Sequence, residues 1–496
     1  MKKSLLNVKR AQNVSGSDMQ SSKKFAFDIS ITFVASIINL VFGLILSVIL
    51  ARYFGAESLG LYRMVFTLYT IGMIFAGIGI PAAVIKYVAE YKENKSNTDK
   101  VISSAVITSF LVGCGFSVLF YFSSGIFEEI FNMPGLSGLL RLISPIFPFS
   151  LLIGTLLGVL NGFRAMKKFG MATILQSVII LVISIVLIIE NFGLNGLIIG
   201  IVLSSVGTCS YLLLVTKKYF KITLNGYILI TKKLLRFGIQ IFGSNAINMI
   251  NYQADIILIG YFLTSTDVGY YSVAVGFSTF FWLVPAAIQT ITYPATSEYW
   301  ANNNHSALQM MIDKSTKYTA CILLPIGLGV GFFAKDIITL IYGEVFINSV
   351  LPLLILIMGT VVFGIIKAIG GSVTGAGRPD LALKVISISA TINIALNVFL
   401  IPHYGIIGAA LATMVSLLVN TLAWIFLTIR VLNVKFDFEW FGKIIGITIL
   451  SIFLFKYFEF INIYLIGIII IFIHILVTIL FFLTKEDKIY FYQLLH

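Results

Sequence analysis

The sequence predicts an all-α integral membrane protein of about fourteen transmembrane helices, built as two parallel six-helix lobes followed by two further helices. Three observations predict it. Of the 496 residues, 58% are hydrophobic and only 11% are charged, against roughly 25% charged in a soluble domain. The apolar residues fall in long runs, each near the 20 or so needed to cross a bilayer as a helix whose backbone groups are bonded internally. Third, a set of glycine-containing motifs recurs in order in the two halves of the chain.

Residues 1–26 are polar and basic (Lys2, Lys3, Lys9, Arg10, Lys23 and Lys24) and read as a cytoplasmic tail. Apolar runs follow at about 28–51, 62–88, 101–122, 140–163, 170–190 and 194–216, and together they make an N-terminal lobe over 27–216. The first run is too long for a signal-peptide core, and Ala51-Arg52-Tyr53 after it does not resemble a cleavage site, so it is expected to remain as a span. A basic stretch over 217–235 is the linker. The runs resume at about 236–262, 268–295, 315–334, 349–372, 381–401 and 404–429, a second lobe over 236–430. Two more, at 441–458 and 461–483, lie in the remaining segment 431–496, which ends in a short tail.

Loop charge gives the orientation. With the N-terminus inside and alternate loops assigned to the cytoplasm, all but six of the 34 Lys and Arg residues fall on the cytoplasmic side. The six are Arg52, Arg63, Arg141, Lys335, Lys367 and Lys456. This is the asymmetry of the positive-inside rule, and it expects both termini, the 217–235 linker and the 302–314 loop in the cytoplasm. The net charge of +13 is thereby absorbed by topology, and nucleic acid is not a partner it calls for.

The repeat is read from three pairs of segments, with five matched positions. ARYFGAESLGLY (51–62) resembles IGYFLTSTDVGYY (259–271), with Tyr53 on Tyr261 and Gly60 on Gly269. GVLNGFR (158–164) resembles SVTGAGR (372–378), with Gly162 on Gly375. FGLNGLIIG (192–200) resembles YGIIGAALA (404–412), with Gly193 on Gly405 and Gly196 on Gly408. Six spans per copy is an even number, so both copies share one orientation and their axis is expected along the membrane normal, with a cavity between them. Gly154, Gly158 and Gly162, like Gly371 and Gly375, have the four-residue spacing that lets helix backbones approach, and packing accounts for them.

Enzymatic signatures are missing. No GxxxxGK[ST] occurs, and Gly327-Leu328-Gly329-Val330-Gly331 sits inside an apolar run, so neither nucleotide reading applies. His305, His403, His474 and His496 are scattered, and Cys114, Cys209 and Cys321 are isolated within apolar runs. No catalytic group, metal site or cofactor is expected, and the thiols read as buried and inert.

Ionisable residues inside spans cost roughly 2.5–3.5 kcal/mol at mid-bilayer on insertion scales and are functional candidates by default. Arg52, Arg63 and Arg141 fall toward the outer ends of helices 1, 2 and 4, Lys86 near the inner end of helix 2, and Lys367 within helix 10. Arg52, Arg63, Arg141 and Lys367 are the expected cationic lining for an anionic substrate such as a phosphate. Snorkelling, or pairing of Arg52 or Arg63 with Glu57, is the structural alternative. On helix 7, Asn245, Asn248, Tyr252 and Asp255 follow i, i+3, i+7, i+10 and form one polar face. Asp255 is the only acid deep in a span; it reads as a proton or sodium site or as the structural partner of an arginine in the other half. Asn393 and Asn397 make a weaker stripe on helix 11.

The segments LARYFGAESLGLYR (50–63), GVLNGFRAMKKF (158–169) and QADIILIGYFLTSTDVGYYSVA (253–274) resemble the polysaccharide flippases of the multidrug/oligosaccharidyl-lipid/polysaccharide (MOP) exporter superfamily. The likeness runs through nearly the whole chain. It implies a MATE-like fold, alternating access, and outward movement of a lipid-linked sugar phosphate in the cell membrane. It also implies that Arg52 and Asp255 occupy positions typical of the family. Multidrug exporters of the superfamily usually carry an acid within the first span; here helix 1 has only Asp28, at its start. An ion-coupled multidrug exporter, a lipid II flippase and a non-transporting scaffold for glycan assembly remain the alternatives. Membrane lipids, H+ or Na+, and glycan-assembly enzymes are the further partners these readings imply.

Overall fold

The computed structural model describes residues 2–482, with the side chains of 2–30 and of 32, 33, 244, 245, 248, 251 and 482 outside the description. Its regular elements are helices throughout. They are α1 (Lys2–Gly77), α2 (Ile80–Glu90), α3 (Lys95–Phe131), α4 (Leu136–Ile143), α5 (Ile146–Gly162), α6 (Met166–Ile189), α7 (Gly193–Thr216) and α8 (Tyr227–Phe262). After these come α9 (Ser265–Phe280), α10 (Leu283–Ala301), α11 (His305–Phe332), α12 (Ala334–Tyr342), α13 (Val350–Lys367), α14 (Ser372–Gly375), α15 (Pro379–Leu432), α16 (Phe438–Phe458) and α17 (Ile463–Val477).

Among the described residues, eight helices are long and apolar enough to cross a membrane, and eleven spans result if each bent pair counts as one. The bent pairs are α4–α5 (47°), α9–α10 (43°) and α11–α12 (69°). Two of the eight are double length. Val34–Gly77 has 44 residues and Pro379–Leu432 has 54, where about 20 residues already span the hydrocarbon. Each breaks in the middle at a glycine outside the helical region, Gly55 (φ 76°, ψ −173°) and Gly405 (φ 58°, ψ −141°). The 36-residue α8 is long enough but is not among the eight, because its second half carries Asn245, Asn248, Asn251, Gln253 and Asp255. With the two double helices divided and α8 counted, the architecture is compatible with fourteen spans.

The chain forms two compact units. One holds residues up to Leu50 and Val65–Ala246; the other holds Ala51–Met64 and the chain from Ile247 onward. In the first unit, α2, α3 and α5 close around Val84, Val88, Ile102, Ala105 and Val159. The glycine stripe of α5 makes this possible. A Cβ at Gly158 would lie 2.9 Å from the Pro81 carbonyl oxygen, and one at Gly162 would lie 2.8 Å from Val88 Cβ. Packing therefore accounts for those glycines. A second cluster joins α5, α6 and α7 through Leu156, Leu160, Ala172, Cys209 and Leu212. None of the three cysteines forms a disulfide among the described residues.

In the second unit the paired motifs meet. A Cβ at Gly60 would sit 1.7 Å from the Ser265 carbonyl oxygen, and one at Gly269 would sit 2.1 Å from that of Ala56. Each copy's glycine is thus the socket for the other copy's backbone. The TSTD stretch of the second copy has a local reason. Thr264 caps α9 by accepting from the Asp267 N–H at 3.3 Å, while Asp267 accepts from the Thr264 N–H at 3.2 Å, a reciprocal capping box. Gly193 and Gly405, the matched glycines of the last motif, both have φ of 58°, where a Cβ would be strained.

Candidate functional site

The second unit contains a buried polar cluster centred on Asp255. Its carboxylate accepts from Tyr271 Oη at 2.7 Å, from Asn397 Nδ2 at 2.7 Å and from Thr413 Oγ1 at 2.5 Å. Asn393 completes the cluster, donating to Thr413 Oγ1 at 3.2 Å and accepting from Asn397 through its backbone and side-chain oxygens at 3.0 and 3.2 Å. The break at Gly405 is what brings these groups together: Asn393 and Asn397 lie one turn apart before it, and Thr413 lies after it on the returning half of α15. Asp255 is 8% exposed, and the donors it finds are neutral. Within this unit, two hydroxyls and an amide supply its hydrogen bonds. A carboxylate withdrawn from water without a counter-charge costs several kcal/mol, so this cluster is suited to taking up a small cation. The Asn397 Oδ1 atom, buried and without a hydrogen-bond partner, adds a free acceptor oxygen.

Next to this cluster lies a cavity of about 370 Å³, lined by Trp282, Trp424, Tyr252, Gln289, Asn420 and Lys367 among others. A smaller cavity of about 80 Å³ reaches from Tyr252 and Trp282 to Asp255 and Thr413. Lys367 ends α13, where the chain leaves the helix toward Gly370 and Gly371. Its Nζ lies 4.3 Å from the Trp282 ring centre and 5.8 Å from that of Phe363. Tyr252 packs edge-on against Trp282, with ring centres 5.2 Å apart. Among the described residues no carboxylate pairs with Lys367.

The four predicted cations are placed differently. Only Lys367 lines this cavity. Arg52 is exposed, and its donors go to the last turn of α12: Nε donates to the Ile341 carbonyl at 2.8 Å and a terminal nitrogen to that of Leu340. It thus satisfies carbonyls that a helix end leaves open. Arg63 is largely enclosed, with Nε buried and without a hydrogen-bond partner. Arg141, in the first unit, donates to Ser124 Oγ at 3.0 Å and lies over the Tyr121 ring at 5.8 Å. On the predicted stripe, Tyr252 lines both cavities and Asp255 the smaller one, whereas the side chains of Asn245 and Asn248 lie outside the described residues. Sequence reasoning did not single out Tyr271, Thr413, Trp282, Asn420 or Trp424. Thr413 follows the Ala-rich run Gly408–Ala412 with nothing to mark it, while Tyr271 ends the repeated segment 259–271. No group of three or more His, Cys, Asp or Glu capable of holding a metal occurs among the described residues.

Comparison with known proteins extends these observations. Residues 49–351 match the family described as "Polysaccharide biosynthesis protein", more than half of the chain. The chain is 29% identical to the "Probable low-salt glycan biosynthesis flippase Agl15" of Haloferax volcanii over 38% of its length, a match spanning 40% of that relative. It is 23% identical to the "Probable flippase AglR" of the same organism, covering 80% of this chain and 82% of the relative. Its fold is similar to that of the lipid II flippase MurJ in an inward closed conformation, with a TM-score of 0.73, 20% identity, and coverage of 90% of this chain and 98% of that one. With its apolar spans, its all-helical fold and this family match in place, the chain is a multi-pass membrane protein that belongs to the polysaccharide biosynthesis protein family.

Proposed function

We propose that the protein is a flippase, not an enzyme, which moves a lipid-linked oligosaccharide or polysaccharide repeat unit from the inner to the outer leaflet by alternating access. The observation that carries this reading is the polar, aromatic and cationic cavity beside Lys367, inside a chain otherwise built to cross lipid. A sugar-phosphate head cannot leave its water for hydrocarbon unless protein groups replace that solvation. Lys367, Arg63 and Arg141 are the cations assigned to the anionic head; the donors of Arg52 are engaged at the end of α12, which makes it chiefly a structural clamp. The lobes 27–216 and 236–430 are the moving bodies, 217–235 is their cytoplasmic linker, and 431–496 is appended to them.

The Asp255 cluster is assigned to coupling. Its oxygens suit a proton or a sodium ion, and the loaded cluster removes the uncompensated charge. A membrane potential negative inside adds about 2.3 kcal/mol per 100 mV for each negative charge moved outward. The loop charges support a reading with both termini in the cytoplasm, in a protein of the plasma membrane. The test is delivery of a lipid-linked sugar to the outer leaflet of vesicles containing the purified protein. Translocation above that of protein-free vesicles supports the assignment; its absence with every lipid-linked sugar tried removes it.

A further inference from the structure

We infer that the cavity beside Lys367 is a sugar subsite that takes a pyranose ring carrying a negative group. This rests on the flippase reading and adds the class of sugar to it. The lining combines three chemistries in one place. Trp282, Trp424 and Tyr252 offer aromatic faces, which suit the apolar C–H faces of a pyranose. Gln289 and Asn420 offer amides, which suit its hydroxyls as both donors and acceptors. Lys367 offers a cation.

Hydrogen-bonding capacity at the cavity is unspent. Asn420 is 6% exposed, and its Oδ1 has no partner; Trp282 Nε1 is likewise buried without one. Such atoms are costly unless something bonds to them. A polyhydroxylated ring supplies both the donor for Asn420 and the acceptor for Trp282 after a small side-chain turn. A lipid chain supplies neither.

The charge of the sugar follows from Lys367. Its Nζ lies 4.3 Å from the Trp282 ring centre, and no carboxylate pairs with it among the described residues. A ring face is a weaker partner for an ammonium than a carboxylate or phosphate oxygen. A neutral sugar would leave the ammonium as it is, while an anionic one would pair with it. The negative group is either the carboxylate of a sugar acid or a phosphate on the ring. The volume of about 370 Å³ lies at the lower end of small-molecule pockets, which fits one or two sugar rings and not a whole repeat unit.

The test titrates three probes into the full-length protein in detergent: methyl glucuronide, glucose 1-phosphate and methyl glucoside. Binding is read from intrinsic fluorescence, since two of the four tryptophans line the cavity. Wild-type protein is expected to bind at least one anionic probe about ten-fold tighter than methyl glucoside. Preference for the glucuronide assigns a sugar acid, and preference for the phosphate assigns a phosphorylated ring. Lys367→Gln should erase the preference and Lys367→Arg should keep it. Trp424→Phe should weaken all three probes alike, which guards against a Lys367→Gln protein that fails to fold. Equal binding of neutral and anionic probes, a preference that survives Lys367→Gln, or no response to any probe overturns the subsite. Vesicle translocation of a lipid-linked sugar by the same preparation separates the two claims. Translocation without probe binding sinks the subsite alone, and an anion preference without any translocation sinks the flippase reading instead.

Discussion

Replacing Asp255 in two ways separates its ionisable charge from its place in the hydrogen-bond cluster. In Asp255→Ala, the Asn397 amide and the Tyr271 hydroxyl lose their acceptor. Tyr271 and Thr413, 3.4 Å apart, can partly satisfy each other, which leaves one or two buried donors stranded. At about 1–3 kcal/mol each, the loss is roughly 2–5 kcal/mol. That is a large share of the 5–15 kcal/mol that about covers a protein's whole margin. Asp255→Asn behaves differently. Its side-chain oxygen takes the Oδ1 position and still accepts from Asn397, while its amide donates to the Tyr271 and Thr413 hydroxyl oxygens, which have lone pairs free. One hydroxyl proton of the Tyr271–Thr413 pair then lacks an acceptor, so its cost is expected at about 1–3 kcal/mol, less than that of the alanine variant. Thermal melting followed by size-exclusion chromatography should therefore rank the proteins wild type, Asn variant, then Ala variant. Translocation of lipid-linked sugar, measured over a range of sodium and pH, should lose its ion dependence in Asp255→Asn at normal abundance. Ion dependence that persists in Asp255→Asn would refute the coupling role, and an Asp255→Ala protein as stable as wild type would refute the structural one.

Other outcomes follow from the same geometry. Gly60→Ala places a methyl 1.7 Å from a backbone oxygen that cannot turn aside, so it should cost at least the 1–3 kcal/mol or so of overpacking and lower the melting temperature. Lys317 bonds to Asp437 at 2.6 Å, and this hydrogen bond holds the Asp437 carboxyl below its usual range. A depressed carboxyl stabilises above its unfolded value and loses that contribution as pH falls through the folded one. Asp437→Asn should thus melt lower at neutral pH by under about 1 kcal/mol, since the pair is partly exposed, and the gap should close in acid. Asn225→Cys in the linker should react with an impermeant thiol reagent in inside-out vesicles; labelling from outside intact cells would overturn the orientation.

The fold was legible because its chemistry is repetitive. Apolar runs mark spans whatever their order. Even the paired motifs had a physical basis in sequence: Gly60 and Gly269 recur because each must admit the other's backbone, and Gly193 and Gly405 recur because both adopt a positive φ. The candidate site was legible only where a residue is out of place in its surroundings. Asp255 and Lys367 are charges in apolar helices, and Asn393 and Asn397 form a stripe. Thr413, Asn420 and Trp424 are ordinary in a membrane helix. Their significance comes from the reversal at Gly405, which carries one half of α15 back past the other. Arg52 shows the converse: its charge stood out, but its donors close the end of α12, a contact 288 residues away in sequence that no local pattern announces.

The most direct test of the central claim is outer-leaflet delivery of a fluorescent lipid-linked sugar by wild type, Arg63→Ala, Arg141→Ala and Lys367→Gln at matched protein, with lipid II and an amphipathic cationic drug as competing cargoes. Wild type should deliver the lipid-linked sugar, each of the three substitutions should slow delivery while the protein still folds, and the drug should not be moved. Drug efflux without delivery of any lipid-linked sugar would contradict the flippase assignment, and wild-type rates in all three variants would contradict the role given to the cations.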